Sequence, residues 1–237
     1  MMTENKFFAK DADMDSSQAL SLVERFIAEG LSNLSEALSL HIPFGITKDK
    51  KFIKYIPERC LTTYFANTLI NNGFIVFNEH SYSKKNGEAG TAKLDLLARK
   101  INPVKDEAIQ LMVEAKGNLD AGYESIVADI TRMKERHPDS IIGSGFEYNK
   151  PEDEFGHKFN IVLTTDWAYK EFSTWWFDNE DAPSIKDHDG DTTKTRKVHC
   201  WKPLNDELRH ARRGVHHLVT NTEHHYSVNA LYAIFSK

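Results

Sequence analysis

Ala108-Ile109-Gln110-Leu111-Met112-Val113 runs without a break into Glu114-Ala115-Lys116, an apolar strand that ends in a carboxylate, a methyl group and an ammonium. Side chains alternate along a strand, so Glu114 and Lys116 share one face while Val113 and Ala115 take the other. Just upstream, Ala92-Lys93-Leu94-Asp95-Leu96-Leu97 reads as a second strand carrying one acid. The residues between, Lys100-Ile101-Asn102-Pro103-Val104-Lys105-Asp106-Glu107, suit the turn of a hairpin. Pairing the two strands brings two carboxylates and one ammonium into a small volume. Hard divalent cations such as Mg²⁺ are held by one or two carboxylates, the other positions going to water and substrate phosphate, and a lysine beside them can orient an attacking water. This is the minimum equipment for cutting a phosphodiester bond. The competing reading makes Glu114 and Lys116 a solvated strand end and Asp95 an ordinary surface acid.

An Asp on one strand and Glu-x-Lys on the next resembles the PD-(D/E)XK nuclease superfamily, the restriction-endonuclease-like fold, over roughly residues 57–170 as an order of elements. Asp95, Glu114 and Lys116 stand at its three signature positions, and Leu94 stands where the family name has Pro. The resemblance implies that Asp95 and Glu114 bind Mg²⁺ or Mn²⁺, with the Ala115 carbonyl as a further ligand. It implies that Lys116 positions the attacking water, and that the substrate is DNA, in restriction, defence or repair, with endonuclease action. In many members a Glu of the first helix points toward the metal, a place that Glu58 would fill here. Branches allied to helicases carry a Gln on the helix after Glu-x-Lys; Tyr123-Glu124-Ser125-Ile126-Val127-Ala128-Asp129 offers none, which argues against that branch.

The flanking segments suit an α/β protein with a central mixed sheet. Residues 57–73 predict a helix, with Pro57 in the first turn, Gly73 after the end, and Leu61, Tyr64, Phe65, Thr68 and Leu69 at helical spacing. Glu58 falls on that apolar stripe, where it is either an inward carboxylate or a first-turn acid favoured by the helix dipole. Phe74–Tyr82 predicts a strand and 83–90 a turn. Asp120 is a candidate cap for an amphipathic helix carrying Tyr123, Ile126, Val127, Ile130 and Met133 as far as about Arg136. Ile141–Lys158 reads as a polar insertion, and Phe159–Thr165 as a buried strand reached by a parallel crossover.

Asp15-Ser16-Ser17-Gln18 opens another amphipathic helix, with Leu20, Val23, Phe26, Ile27, Leu31, Leu34 and Leu38 on its stripe, packing on the core or on a second subunit of a homodimer. Trp167, Tyr169, Phe172, Trp175, Trp176 and Phe177 predict an aromatic helix, and Tyr226–Phe235 a strand added to the sheet. The expected organisation is a helical appendage over 1–56, a nuclease-like core over 57–177, and, in the same domain, an acidic loop, basic segment and final strand over 178–237.

The 237 residues, 40% hydrophobic and 27% charged, have the composition of a soluble globular protein. No run is long enough to span a bilayer and no signal-peptide pattern opens the chain, so a cytoplasmic location without membrane partners is expected. Cys60 and Cys200 form no Cys-x-x-Cys pattern. The net charge of −5 hides an asymmetry. Between Asp178 and Asp191 acids dominate, whereas from Lys194 to His217 the bases Lys194, Arg196, Lys197, Lys202, Arg209, Arg212 and Arg213 face only Asp206 and Glu207. Arg209, Arg212 and Arg213 cluster as they would on a helix, and with Lys194, Arg196 and Lys197 they are candidate contacts to a nucleic-acid backbone. Asp187-His188-Asp189-Gly190-Asp191 lacks the terminal Glu of a calcium loop, and His210, His216, His217, His224 and His225 match no zinc spacing.

Two other classes compete with the nuclease. One is a non-catalytic binding module that keeps such a fold as a scaffold for nucleic acid or protein. The other is a hydrolase of small phosphoesters, which would need a closed pocket and no basic segment.

Overall fold

A computed structural model describes residues 14–41, 56–83, 89–102, 107–117, 119–135, 155–167, 176, 202–221 and 226–237. In chain order these form α1 (Ser16–His41), α2 (Glu58–Asn71), β1 (Ile75–Ser83), β2 (Ala89–Asn102), β3 (Glu107–Lys116), α3 (Leu119–Glu135), β4 (His157–Trp167), α4 (Lys202–Leu208), β5 (Arg212–Asn221) and β6 (Tyr226–Ser236). The strands make one six-stranded mixed sheet in the order β1-β2-β3-β4-β6-β5. β3 and β4 are parallel, joined through α3, and every other neighbouring pair is antiparallel. The protein is therefore α/β, with helices on both faces of a central mixed sheet.

Local chemistry sets the helix ends. Asp15 and Gln18 form a reciprocal box at the start of α1: the Gln18 N–H donates to Asp15 Oδ1 at 2.8 Å and the Asp15 N–H to Gln18 Oε1 at 3.0 Å. α2 ends in a Schellman turn. Gly73 takes φ +83°, its N–H donates to the Ile70 carbonyl, and the Phe74 N–H donates to that of Leu69.

The two faces bury separate cores. Leu96, Ala98, Leu111, Val113, Ala115, Ile161 and Leu163 pack under α1 and α2, meeting Val23, Phe26, Ile27, Leu31, Leu61, Phe65 and Leu69. Leu97, Met112, Val162, Leu231 and Ala233 pack under α3 and α4, meeting Ile126, Ile130, Met133, Leu204 and Leu208. α1 thus packs on the main core, one of the two arrangements expected for it. Gly30 permits its close approach to α2, because a Cβ there would lie 3.1 Å from Phe65 Cα.

Four expectations need correction. The Arg209–Arg213 segment is not helical: α4 stops at Leu208, Arg209 lies in the following turn, and Arg212 and Arg213 open β5. Gly214 sits beneath Tyr232, where any Cβ would clash with the ring, so β-type pairing with β6 wins over a charged helical face. β2 and β3 extend to Asn102 and from Glu107, leaving a shorter turn than the sequence suggests. α3 starts at Leu119, which puts Asp120 inside it, and Trp167 belongs to β4. Of the remaining aromatic stretch, Trp176 is described: it is buried, and its indole N–H donates to the Tyr232 carbonyl at 2.9 Å. The acidic loop, the 141–154 insertion, Lys194, Arg196, Lys197, His224 and His225 lie outside the described residues.

Candidate active site

β3 is the axis of the site. Its even-numbered residues face α3: Gln110 is 1% exposed, Met112 1% and Glu114 3%, and Lys116 is half-buried. Such burial rules out the solvated strand end. A carboxylate this deep is costly unless paired, and α3 supplies the partners. Arg132 Nη2 lies 3.8 Å from Glu114 Oε1, and Asp129 Oδ2 lies 3.0 Å from Lys116 Nζ. Arg132 also contacts Asp129, three residues before it on the same helix face. The result is a chain of alternating charge, Glu114–Arg132–Asp129–Lys116, between sheet and helix, with its acids buried and its cations partly exposed. Asp129 is 3% exposed. Beneath the network, Thr164 of β4 is the register partner of Lys116, and both Thr164 and Asn160 are buried. The Thr164 Oγ1 and Asn160 Oδ1 have no hydrogen-bond partner among the described residues.

Asp95 reaches the same end of β3 from the neighbouring strand. The β2–β3 ladder runs from Asn102↔Glu107 to Leu96↔Val113 and stops there. Beyond it, Asp95 Oδ2 accepts the Ala115 N–H at 2.7 Å, so a side chain takes the place of the next ladder carbonyl. The strand is out of step here. Leu94 and Leu97 pack in the core under α3 while Leu96 and Ala98 pack in the other, which strict alternation would not allow. The opposing edge registers the same irregularity: Asn78 pairs with Leu96 and His80 with Leu94, while Glu79 between them has φ +51°. A non-glycine residue in the left-handed region is uncommon and carries backbone strain. The N–H and C=O of one strand residue point to the same edge, so the Ala115 carbonyl opens toward Asp95 as well.

Glu58 approaches from the far side. It is exposed rather than inward on the apolar stripe, a correction explained by its place at the first residue of α2, where the chain has only begun to dock. Its Oε1 still accepts the Gly117 N–H at 3.4 Å. Gly117 is confined there: a Cβ would stand 2.9 Å from the Ile56 carbonyl oxygen, and its own carbonyl accepts from Thr165 Oγ1. α2 therefore meets the residue just past Lys116, and Glu58 forms the rim of the site.

Asp95, Glu114, the Ala115 carbonyl and Glu58 are hard oxygen donors of the kind that suits Mg²⁺ or Mn²⁺, but among the described residues no three His, Cys, Asp or Glu side chains come together as a metal-holding group. The contact that links them is the hydrogen bond from the Ala115 N–H to Asp95, on the peptide that joins Ala115 to Glu114. Asp129 and the role of Arg132 were not visible in the sequence, because two charges three residues apart on an amphipathic helix look like a solvated face.

The basic residues divide between surfaces. Arg212 points to the α1 side, where its Nε donates to Glu24 Oε1 at 2.8 Å; this partner and its hydrogen bond hold the guanidinium pKa above its ordinary value. Arg213, the next residue, takes the opposite face of β5. Arg209 is exposed and sits 3.5 Å from Asp206. The three do not form one patch. His217 Nδ1 is 3.1 Å from Asn229 Oδ1, and burial followed by the charge of His217 lowers the pKa of His216. No described helix is long and apolar enough to cross a membrane. Comparison with family models, with curated proteins and with solved structures gave no match.

Proposed function

We propose that this protein is a metal-dependent nuclease of the PD-(D/E)XK type that hydrolyses phosphodiester bonds, with DNA as substrate and endonuclease action. One observation carries the reading: Glu114 is buried at the end of β3, and Asp95 grips the adjoining Glu114–Ala115 peptide where β2 leaves the ladder. Building a core strand to end in a buried acid, and throwing the neighbouring strand out of step to bring a second one to it, destabilises the fold and calls for a use.

Asp95, Glu114 and the Ala115 carbonyl would hold Mg²⁺ or Mn²⁺. When bound, the ion supplies positive charge and Lewis acidity toward a phosphoryl oxygen. Lys116 follows Glu114 on the same face, and its half-buried ammonium orients the attacking water and faces the charge that develops on the phosphate. Asp129 fixes that ammonium, and Glu58 is the outer carboxylate at the rim. The choice of DNA, and of a role in restriction, defence or repair in the cytoplasm, follows from the family resemblance, as does assembly as a homodimer. Arg209 and Arg213, with Lys194, Arg196 and Lys197, are the proposed contacts to the phosphate backbone, whereas Arg212 is taken up by Glu24.

The test is cleavage of plasmid DNA in Mg²⁺ or Mn²⁺. Excess chelator should abolish it, and Ca²⁺, larger and less demanding in geometry, should bind yet support little turnover. Lys116→Ala and Glu114→Ala should each slow cleavage by at least about a hundredfold. Robust cleavage in excess chelator sinks the metal assignment. A specific observation favours a second reading, a binding module on the same scaffold: Glu114 and Lys116 both have ion-pair partners on α3. Absence of any Mn²⁺ binding by the folded protein would select it.

A further inference from the structure

We propose that the exposed face of α2, with Arg59 at its start and Arg25 and Lys100 at its end, is a binding surface for the sugar–phosphate backbone of nucleic acid. The inference rests on the nucleic-acid reading above and extends it to a surface that carries none of the contacts named there. It does not depend on a metal ion.

The observation that carries it is a pair of cations without an anion. Lys100 Nζ donates to the Asn72 carbonyl at 2.8 Å, just past the end of α2, and lies 5.6 Å from the centre of the Phe74 ring. That ring meets Phe26 edge to face at 5.7 Å, and the Arg25 guanidinium lies 5.6 Å from the Phe26 ring. A cation at the C-terminus of a helix is favourable, and Lys100 alone supplies it. The second cation works against the first: burial, followed by the charge of Arg25, holds the Lys100 pKa below its ordinary value. Among the described residues neither cation has an ion-pair partner. Glu24, beside Arg25 in sequence, holds Arg212, and Glu29, one turn on, does not reach Arg25. The Lys100 ammonium has three donors, of which one is used among the described residues. In a chain of net charge −5, two uncompensated cations held together against their repulsion fit an anion.

α2 extends these charges into a track. After Glu58 its sequence holds no acid, and Arg59, Thr63, Asn67 and Asn71, spaced by four, are exposed on one face. The Arg59 side chain is 91% exposed and touches Glu79 only at 3.8 Å. Hydroxyl and amide side chains beside arginine and lysine are the groups that contact phosphate and sugar oxygens. The 14 residues of the helix span about 21 Å, or about six nucleotide steps. This length, and the run of uncharged hydrogen-bonding groups between the cations, favour an extended backbone over a single free phosphate.

The experiment is binding of a labelled DNA duplex to the full chain by fluorescence anisotropy, in excess chelator and across a range of salt concentrations. Replacing both cations, Arg25→Gln with Lys100→Gln, should flatten the slope of log affinity against log salt by about 1.8, two phosphate contacts at about 0.9 each. Asn67→Glu puts a good helix former at an exposed position of α2, so the helix stays folded while binding weakens. Lys237→Gln, which removes an exposed cation elsewhere, should leave affinity and slope near wild type. Inorganic phosphate should compete only weakly. An unchanged slope in the double variant, or unchanged affinity in Asn67→Glu, overturns the surface while DNA binding by the wild type keeps the nucleic-acid reading standing. An equal loss in Lys237→Gln refers the effect to net charge and overturns the surface too. Inorganic phosphate bound as tightly as the duplex overturns the extended backbone as its occupant. No DNA binding by the wild type at low salt overturns the nucleic-acid reading itself. If the double variant does not fold, Arg25→Gln alone decides, with a change in slope of about 0.9 expected and no change refuting the proposal.

Discussion

Asp129→Asn is the sharpest structural test of the charge chain, because the substitution keeps shape and volume and removes one charge. In the wild type the Asp129 side chain is 5% exposed, with Lys116 Nζ at 3.0 Å and Arg132 in contact, their side chains 21% and 29% exposed. An exposed pair would contribute about 0–1 kcal/mol, whereas breaking a buried pair typically costs about 3–5 kcal/mol through the uncompensated charge. Here the acid is buried but both cations reach solvent in part, so the expected loss lies at the lower edge, about 2–3 kcal/mol. For a chain of this size that corresponds to a fall in melting temperature of roughly 4–12 °C. Urea unfolding of metal-free protein at neutral pH, at low salt and again at high salt, measures it. A double-mutant cycle with Lys116→Met then isolates the pair, with coupling expected above about 1 kcal/mol. A loss below about 0.5 kcal/mol, or one erased by moderate salt, would show that the network behaves as a solvated surface and would refute the energetic role assigned to its burial.

Glu58→Ala separates the two readings of that residue: lost cleavage at unchanged melting temperature favours the site, and the reverse favours the dipole of α2. Arg209→Glu and Arg213→Glu should weaken DNA binding across all sequences in Ca²⁺ and flatten its salt dependence by about 0.9 in slope for each phosphate no longer neutralised, and an unchanged slope would move the DNA path toward Lys134 and Arg132. Arg212→Ala should instead lower stability by breaking the ion pair with Glu24, read by thermal melts. The lowered pKa of His216 makes the unfolded chain bind its proton first, so stability should be full above the ordinary value of 6.5 and decline as pH falls from there through the folded-state pKa. His216→Gln should flatten that decline in urea midpoints taken across the range, and an unaltered profile would exclude His216 as its source.

Where local chemistry and burial agree, the fold was legible in the sequence. α1 announces its start through Asp15 and Gln18, and α2 its end through Gly73, each of which makes the backbone contact its type favours. β3 is readable from its apolar run, because a central strand has both faces covered. β5 was not. Arg212, Arg213, His216 and His217 supply no apolar alternation, as expected of an edge strand whose one described strand neighbour is β6. Of the site, Asp95, Glu114 and Lys116 are brought to one strand end, yet the break in β2 that delivers Asp95 depends on tertiary register and leaves no local signal. The same holds for Asp129 and Arg132, whose solvent is replaced by Glu114 and Lys116 only after α3 has crossed the sheet.

The strand order carries a consequence for how the molecule is made. β6 is the last of the described strands in sequence, but it lies between β4 and β5, pairing with both. During synthesis β1, β2 and β3 can zip as successive hairpins, and β4 can join through α3, yet β4 then presents an unpaired edge and β5 has no neighbour until β6 emerges. The helix α1, made first, cannot complete its contacts with β5 before that moment either, since Glu24 meets Arg212 and the Leu218 carbonyl accepts from Ser35. Assembly of this half of the sheet therefore waits for β6. The exposed edge of β4 during that interval is the place where a nascent-chain chaperone would act, and where slow synthesis of residues 168–225 would favour aggregation.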